Sequence, residues 1–242
     1  MNNIKLECVF IAGSMDRLKI WDQIEQLLTP VSEIELYDKP IQINKLRNQI
    51  KKLKGDFFNI KADQYSIRFA AVPNSSLSFL QVKVKESKEP GWWQDWINIF
   101  SSYSGFLQGW LSDIDYEYWQ NASDPVQYQA HGKPIDGLAL VSNGLPHPMQ
   151  KNVVDTSKNL GLRKLCNGYI EAIGAQMWLS TDMLRILSID EEAVHECPIE
   201  VSEYSAKVLW LSSKYTVFKE GLDEQLEESI RNWLFNRYRA QV

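Results

Sequence analysis

The chain has 242 residues, 44% of them hydrophobic and 24% charged, with a formal net charge of −5 and a pI near 5.3. That length supports a real core, in one large domain or two small ones packed together. A mildly acidic balance argues against direct nucleic-acid binding, which calls for a basic footprint, and suits a basic partner.

Three widely spaced cysteines, Cys8, Cys166 and Cys197, form no CxxC pair. An odd count without a framework points to a reducing compartment and buried, inert thiols. The opening "MNNIKLECVFIAGSM" imitates a signal peptide, but Glu7 interrupts its apolar run and residues 8–12 are too few for an h-region. No apolar stretch approaches bilayer length. The expectation is a cytoplasmic protein that does not enter the membrane.

In chain order, "IKLECVFIA" reads as a strand. "MDRLKIWDQIEQLL" sets Leu18, Trp21, Ile24, Leu27 and Leu28 at helical spacing, with Pro30 after the stop. "SEIELYD" alternates. "INKLRNQIKKLKG" carries Ile43, Leu46, Ile50 and Leu53 on one stripe and Gly55 at its C-terminal end. "QYSIRFAAV" and "LSFLQVKVK" predict two strands joined by a hairpin turn at Pro73, Asn74 and Ser75.

Composition shifts near Pro90 and Gly91. Trp92, Trp96, Ile99, Tyr103, Phe106 and Trp110 fall at steps of three and four, which predicts an amphipathic helix over 92–110 despite Gly105 and Gly109. "GKPIDGLALVSNGLPHPM" is loop-rich. "LRKLCNGYIEAIGAQMWLS" holds two strands turning at Asn167 and Gly168. "TDMLRIL" starts a short helix capped by Thr181 or Ser180. "IEVSEY" and "KVLWLSS" are two further strands. A C-terminal helix over 222–238 lines up Leu222, Leu226, Ile230, Trp233 and Leu234, and the second half of this closing segment is basic, with Arg231, Arg237 and Arg239. The class is α+β, with mixed or mostly antiparallel sheets packed by amphipathic helices. The whole chain, 1–242, reads as a single domain with possible subdomains 1–90 and 91–242.

Charge is unevenly spread. Residues 1–90 are net +3, residues 91–148 net −5 and residues 149–242 net −3. The middle segment holds one basic residue, Lys133, beside six acids and eleven of the 28 aromatics. Within it lies "LSDIDYEYWQNASDP". Read as a strand, this puts Asp113, Asp115, Glu117 and Trp119 on one face, with the acids about 7 Å apart, and Ile114, Tyr116 and Tyr118 on the other. One reading makes the aromatics core and the acids a solvated face. The other makes Asp113, Asp115, Glu117, Trp119 and Asp124 a partner-binding surface, since Tyr and Trp anchor interfaces and acids steer a basic partner.

Signs of catalysis are absent from the sequence. His131, His147 and His195 are far apart, and no GxSxG, P-loop or GxGxxG occurs. A glycosidase pair needs two carboxylates facing across a cleft, and a carboxylate Mg²⁺ site has no supporting motif. The expectation is a non-enzyme without metal or cofactor.

"SGFLQGWLSDIDYEYWQNASDP", with the later "GAQMWLSTDML", resembles the immunity protein 52 family of bacterial polymorphic toxin and type VI secretion systems. The features are an aromatic helix ending in Gly-Trp, the acidic-aromatic run into "YWQNA", and Gly-x-x-Trp-Leu. The resemblance covers about a quarter of the chain and implies an antitoxin. Such a protein binds a cognate toxin, typically a nuclease of the restriction-endonuclease-like class, and works by binding alone. The sequence leaves monomer and dimer both open. A nuclease cleft is basic because it binds phosphates, so an acidic face would occupy it. A scaffold or adaptor without a toxin partner, and an enzyme of unfamiliar type, remain alternatives.

Overall fold

A computed structural model describes residues 3–28, 31, 33–53, 57–84 and 91–236. The Pro30 stop, Gly55, Pro90, and Arg237 and Arg239 of the expected C-terminal helix lie outside these residues. The elements run β1 (Ile4–Ile11), α1 (Arg17–Leu28), β2 (Glu33–Leu36), β3 (Lys39–Gln42), α2 (Ile43–Lys52), β4 (Phe57–Ala62), β5 (Tyr65–Ala71), β6 (Leu77–Val84), α3 (Trp93–Ser101) and β7 (Phe106–Asp113). They continue with α4 (Ile114–Asn121), α5 (Pro125–Ala130), β8 (Leu140–Ser142), β9 (Asn152–Val154), β10 (Lys164–Cys166), β11 (Tyr169–Glu171), β12 (Gln176–Ser180), α6 (Thr181–Ile186), α7 (Glu191–Val194), β13 (Glu200–Ser205), β14 (Val208–Ser212) and α8 (Glu224–Arg231).

Ten strands form one antiparallel sheet in the order β13-β14-β12-β7-β1-β6-β5-β4-β2-β3. The fold is α+β, and helices cover both faces of the sheet. β1 is central, paired to β6 on one side and β7 on the other. Strands from the N-terminal ninety residues and from the remainder thus share one sheet.

Alternation along β1 sets the two cores. Ile4, Leu6, Cys8 and Phe10 meet Trp21 and Ile24 of α1, Leu46 and Ile50 of α2, and Trp96 and Ile97 of α3. Val9, on the opposite face, joins Trp110, Met177, Leu179, Met183 and Ile230 in a second core. Lys5 and Glu7 alternate with the first set, so these two charged side chains point into the second face.

The helix expected over 92–110 is a correction. It ends at Ser101, and Phe106 begins β7. Two glycines explain the break. A Cβ on Gly105 would lie 1.9 Å from Ser14 Oγ, where the chain turns against the end of β1. A Cβ on Gly109 would lie 3.2 Å from Ile97 Cδ1 and 3.3 Å from the Glu7 carbonyl, so bare backbone lets α3 settle on β7. The run of three- and four-residue steps from Trp92 through Ile99, Tyr103 and Phe106 to Trp110 spans a helix and a strand.

The C-terminal helix is present but divided: α8 runs into a π-helical segment, Asn232–Asn236, that buries Trp233 and Leu234. Ser180, not Thr181, caps α6, accepting from Met183 N–H at 3.1 Å. β10 and β11 turn at Asn167 and Gly168 as expected. The strands β3 and β4 were not anticipated. Among the described residues no helix is long and apolar enough to cross a membrane.

Candidate functional site

The strand reading of residues 113–119 is the main correction. β7 stops at Asp113, and α4 carries the rest. Asp113 is the N-cap: its carboxylate accepts from the backbone N–H of Asp115 at 3.1 Å and of Tyr116 at 3.0 Å. Acids in the first turn, Asp115 and Glu117, suit the positive end of the helix. At 100° per residue these side chains fan around the helix instead of sharing a face.

Glu117 turns inward. Its Oε1 lies 2.5 Å from Lys5 Nζ and 2.7 Å from Arg163 Nη1. Lys5 also meets Glu7 at 2.9 Å, Arg163 pairs with Glu7, and Gln81 donates to Glu7 at 2.8 Å. The Arg163 guanidinium lies 4.9 Å from the centroid of the Trp110 ring. Burial alone would raise the Glu7 carboxyl, but Arg163 and Lys5 outweigh it and hold it at about 2. Glu117 moves upward, through burial and then through the charge of Glu7. Two carboxylates sharing two cations out of water ionise unequally, and Glu7 is the one kept charged.

Asp124 is also occupied locally. It N-caps α5 by accepting from Val126 N–H at 3.2 Å, and it meets Lys151 at 3.3 Å. Those two partners lower its carboxyl, the backbone N–H more than the lysine. Trp119 packs against Tyr118 and Tyr128, both at 4.9 Å between centroids, and against His131 at 5.4 Å. Lys133 Nζ stands 4.7 Å from the Trp119 ring centroid.

Three of the five predicted residues, Asp113, Asp115 and Trp119, line an open groove of about 440 Å³. Glu117 and Asp124 are absent from it. Tyr116, Lys133, Lys219 and Glu220 are lining residues that the sequence reading did not select. Only Lys133 carried a signal, as the one basic residue in an acidic stretch.

Asp113 and Tyr116 are also walls of a small cavity of about 20 Å³, room for one water. Arg163, Glu117 and Glu227 line it as well. Glu227 is 1% exposed. Its Oε2 accepts from the Tyr116 hydroxyl at 2.7 Å, while Oε1, like Glu117 Oε2, has no hydrogen-bond partner among the described residues. Burial raises the Glu227 carboxyl to about 7, against the lowering pull of the Tyr116 hydroxyl and Arg231. The Tyr116 hydroxyl is raised in turn, by burial and then by its bond to Glu227.

A raised folded-state carboxyl costs stability only where the unfolded chain would be ionised and the folded one resists. Below its ordinary value of 4.5 there is no cost; the cost grows to pH 7 and is complete above it. Glu227→Gln should therefore stabilise the protein by about 3 kcal/mol at pH 8 and leave it unchanged at pH 4. Denaturant melts at the two pH values read this directly. Equal shifts at both would show that ionisation of Glu227 plays no part.

Among the described residues, no group of three or more His, Cys, Asp or Glu side chains is arranged to hold a metal ion.

The chain matches no protein-family model and no curated protein. Its fold is similar to a solved structure, the Pseudomonas aeruginosa T6SS protein PA0821, with a TM-score of 0.56. The similarity covers 96% of this chain and 72% of that one at 12% sequence identity. At that identity the likeness speaks for the fold.

Proposed function

We propose that this chain is an immunity protein of a bacterial toxin-delivery system, which binds a cognate toxin in the cytoplasm and neutralises it by direct contact, without chemistry of its own. One observation carries the reading: the fold likeness to a protein named for the type VI secretion system extends over 96% of the chain. The sequence likeness to the immunity protein 52 family, in "SGFLQGWLSDIDYEYWQNASDP" and "GAQMWLSTDML", points the same way and makes a nuclease the expected toxin.

The site is consistent with a binding role. A cavity with room for one water leaves no space for a substrate at the perturbed carboxyls Glu117 and Glu227. The larger groove is open and has the aromatic residues that protein-contact surfaces favour, with acids beside them that steer a basic partner. The test is co-purification: a tagged chain, expressed with the product of the gene beside its own, should retain that product through a salt wash and gel filtration. Recovery of the tagged chain alone, with the neighbour soluble in the same lysate, would count against the reading.

A further inference from the structure

Among the described residues, five carboxylates and three cations line the groove and the cavity behind it. Most are matched. Arg163 holds Glu117 at 2.7 Å, Lys219 stands 3.9 Å from Asp113, and Lys133 stands 3.6 Å from Glu220. Glu227 lines the cavity and not the groove, and there the Tyr116 hydroxyl and the Arg231 charge meet it. One groove carboxylate is left. Asp115 is exposed on the groove and has no ion-pair partner among the described residues. The groove therefore carries a deficit of positive charge next to aromatic walls.

The protein already places one ammonium on those walls. Lys133 Nζ lies over the Trp119 ring and reaches toward Glu220. A cation on an indole face, with a carboxylate in reach, is a favourable arrangement for a lysine head and its methylene stem.

We propose that the groove seats one basic side chain of a protein partner, its stem against Trp119 and Tyr116 and its charged head at Asp115. Lys133 is the resident cation that the incoming one displaces from the ring. Identifying the partner with a toxin rests on the immunity reading; the seat itself does not. Glu117 and Asp124 take no part, because Lys5 and Arg163 hold the first and the α5 cap holds the second.

The experiment is an NMR titration of the intact, ¹⁵N-labelled chain with Nα-acetyl-L-lysine methylamide. The norleucine analogue, which keeps the four-carbon stem and lacks the ammonium, is the control at matched ionic strength. The lysine probe should shift the Trp119 indole N–H and the Asp115 amide saturably. Asp115→Asn should weaken its binding roughly threefold, the size of one exposed ion pair. Lys133→Met should strengthen it by about as much, because it frees the ring and removes a like charge. Opposite signs from two exposed substitutions, with unchanged thermal melts, are not produced by a general loss of structure. Equal shifts from norleucine, no effect of Asp115→Asn, or weaker binding in Lys133→Met would each overturn the proposal. With the co-purified partner in hand, Asp115→Lys should slow association. Full binding by that variant would remove the groove and leave the immunity reading standing. A saturable lysine response with no toxin partner found would do the reverse.

Discussion

Arg163→Met should destabilise the protein by about 3–5 kcal/mol at pH 8, as removal of one partner from a buried ionic group does. The guanidinium is held by Glu7 and Glu117 and stacks over Trp110. Methionine keeps much of the stem's packing but leaves Lys5 alone against two carboxylates. One of those must then take up a proton, and Glu117 is the one already pushed upward. The loss should therefore shrink as pH falls toward 5. Adding Glu117→Gln to Arg163→Met should recover part of it, because one carboxylate then faces one lysine. The measurement is ΔG from denaturant unfolding for both variants at pH 8 and pH 5. A cost under about 1 kcal/mol at pH 8 would show the network to be well hydrated and marginal.

Trp233→Ala should cost about 3–5 kcal/mol, the range of large aromatic truncations in a core. Trp233 is 7% exposed and its Nε1 donates to the Ala193 carbonyl at 2.9 Å. The side chain thereby ties the π-helical end of the chain to α7 and to the second core. Trp233→Phe retains most of the buried ring and gives up the hydrogen bond, so about 1–2 kcal/mol is expected. Equal costs for Ala and Phe would mean that the hydrogen bond, and not the packing, holds this segment.

Among the strands and helices legible in the sequence, β1, β5, β6, α1 and α2 each show one clear pattern of local burial. Residues 92–110 misled because helical spacing ran on by chance across a turn. Gly105 and Gly109 held the information, but their reason is contact with Ser14 and with Ile97 of α3, which spacing cannot show. Residues 113–119 misled for the opposite reason, since their acids alternate with apolar and aromatic residues just as in a half-buried strand. A helix-start signal was there to be weighed against it: an aspartate at the cap and acids through the first turn.

The buried network was invisible for a different cause. Glu7 was noticed as an interruption of an apolar run, but its partner Arg163 lies 156 residues away. No local rule connects them. The groove was half legible: Asp113, Asp115 and Trp119 were selected for their chemistry and do line it. Glu117 and Asp124, chosen on the same grounds, are spent on interactions within the fold.

Growth rescue tests the immunity reading most directly. The product of the gene beside this one, the proposed toxin, would be expressed in a heterologous bacterium, with and without this chain. The account predicts that toxin alone stops growth, that co-expression restores it, and that the two proteins elute as one complex. Continued toxicity with both proteins soluble and abundant would contradict it.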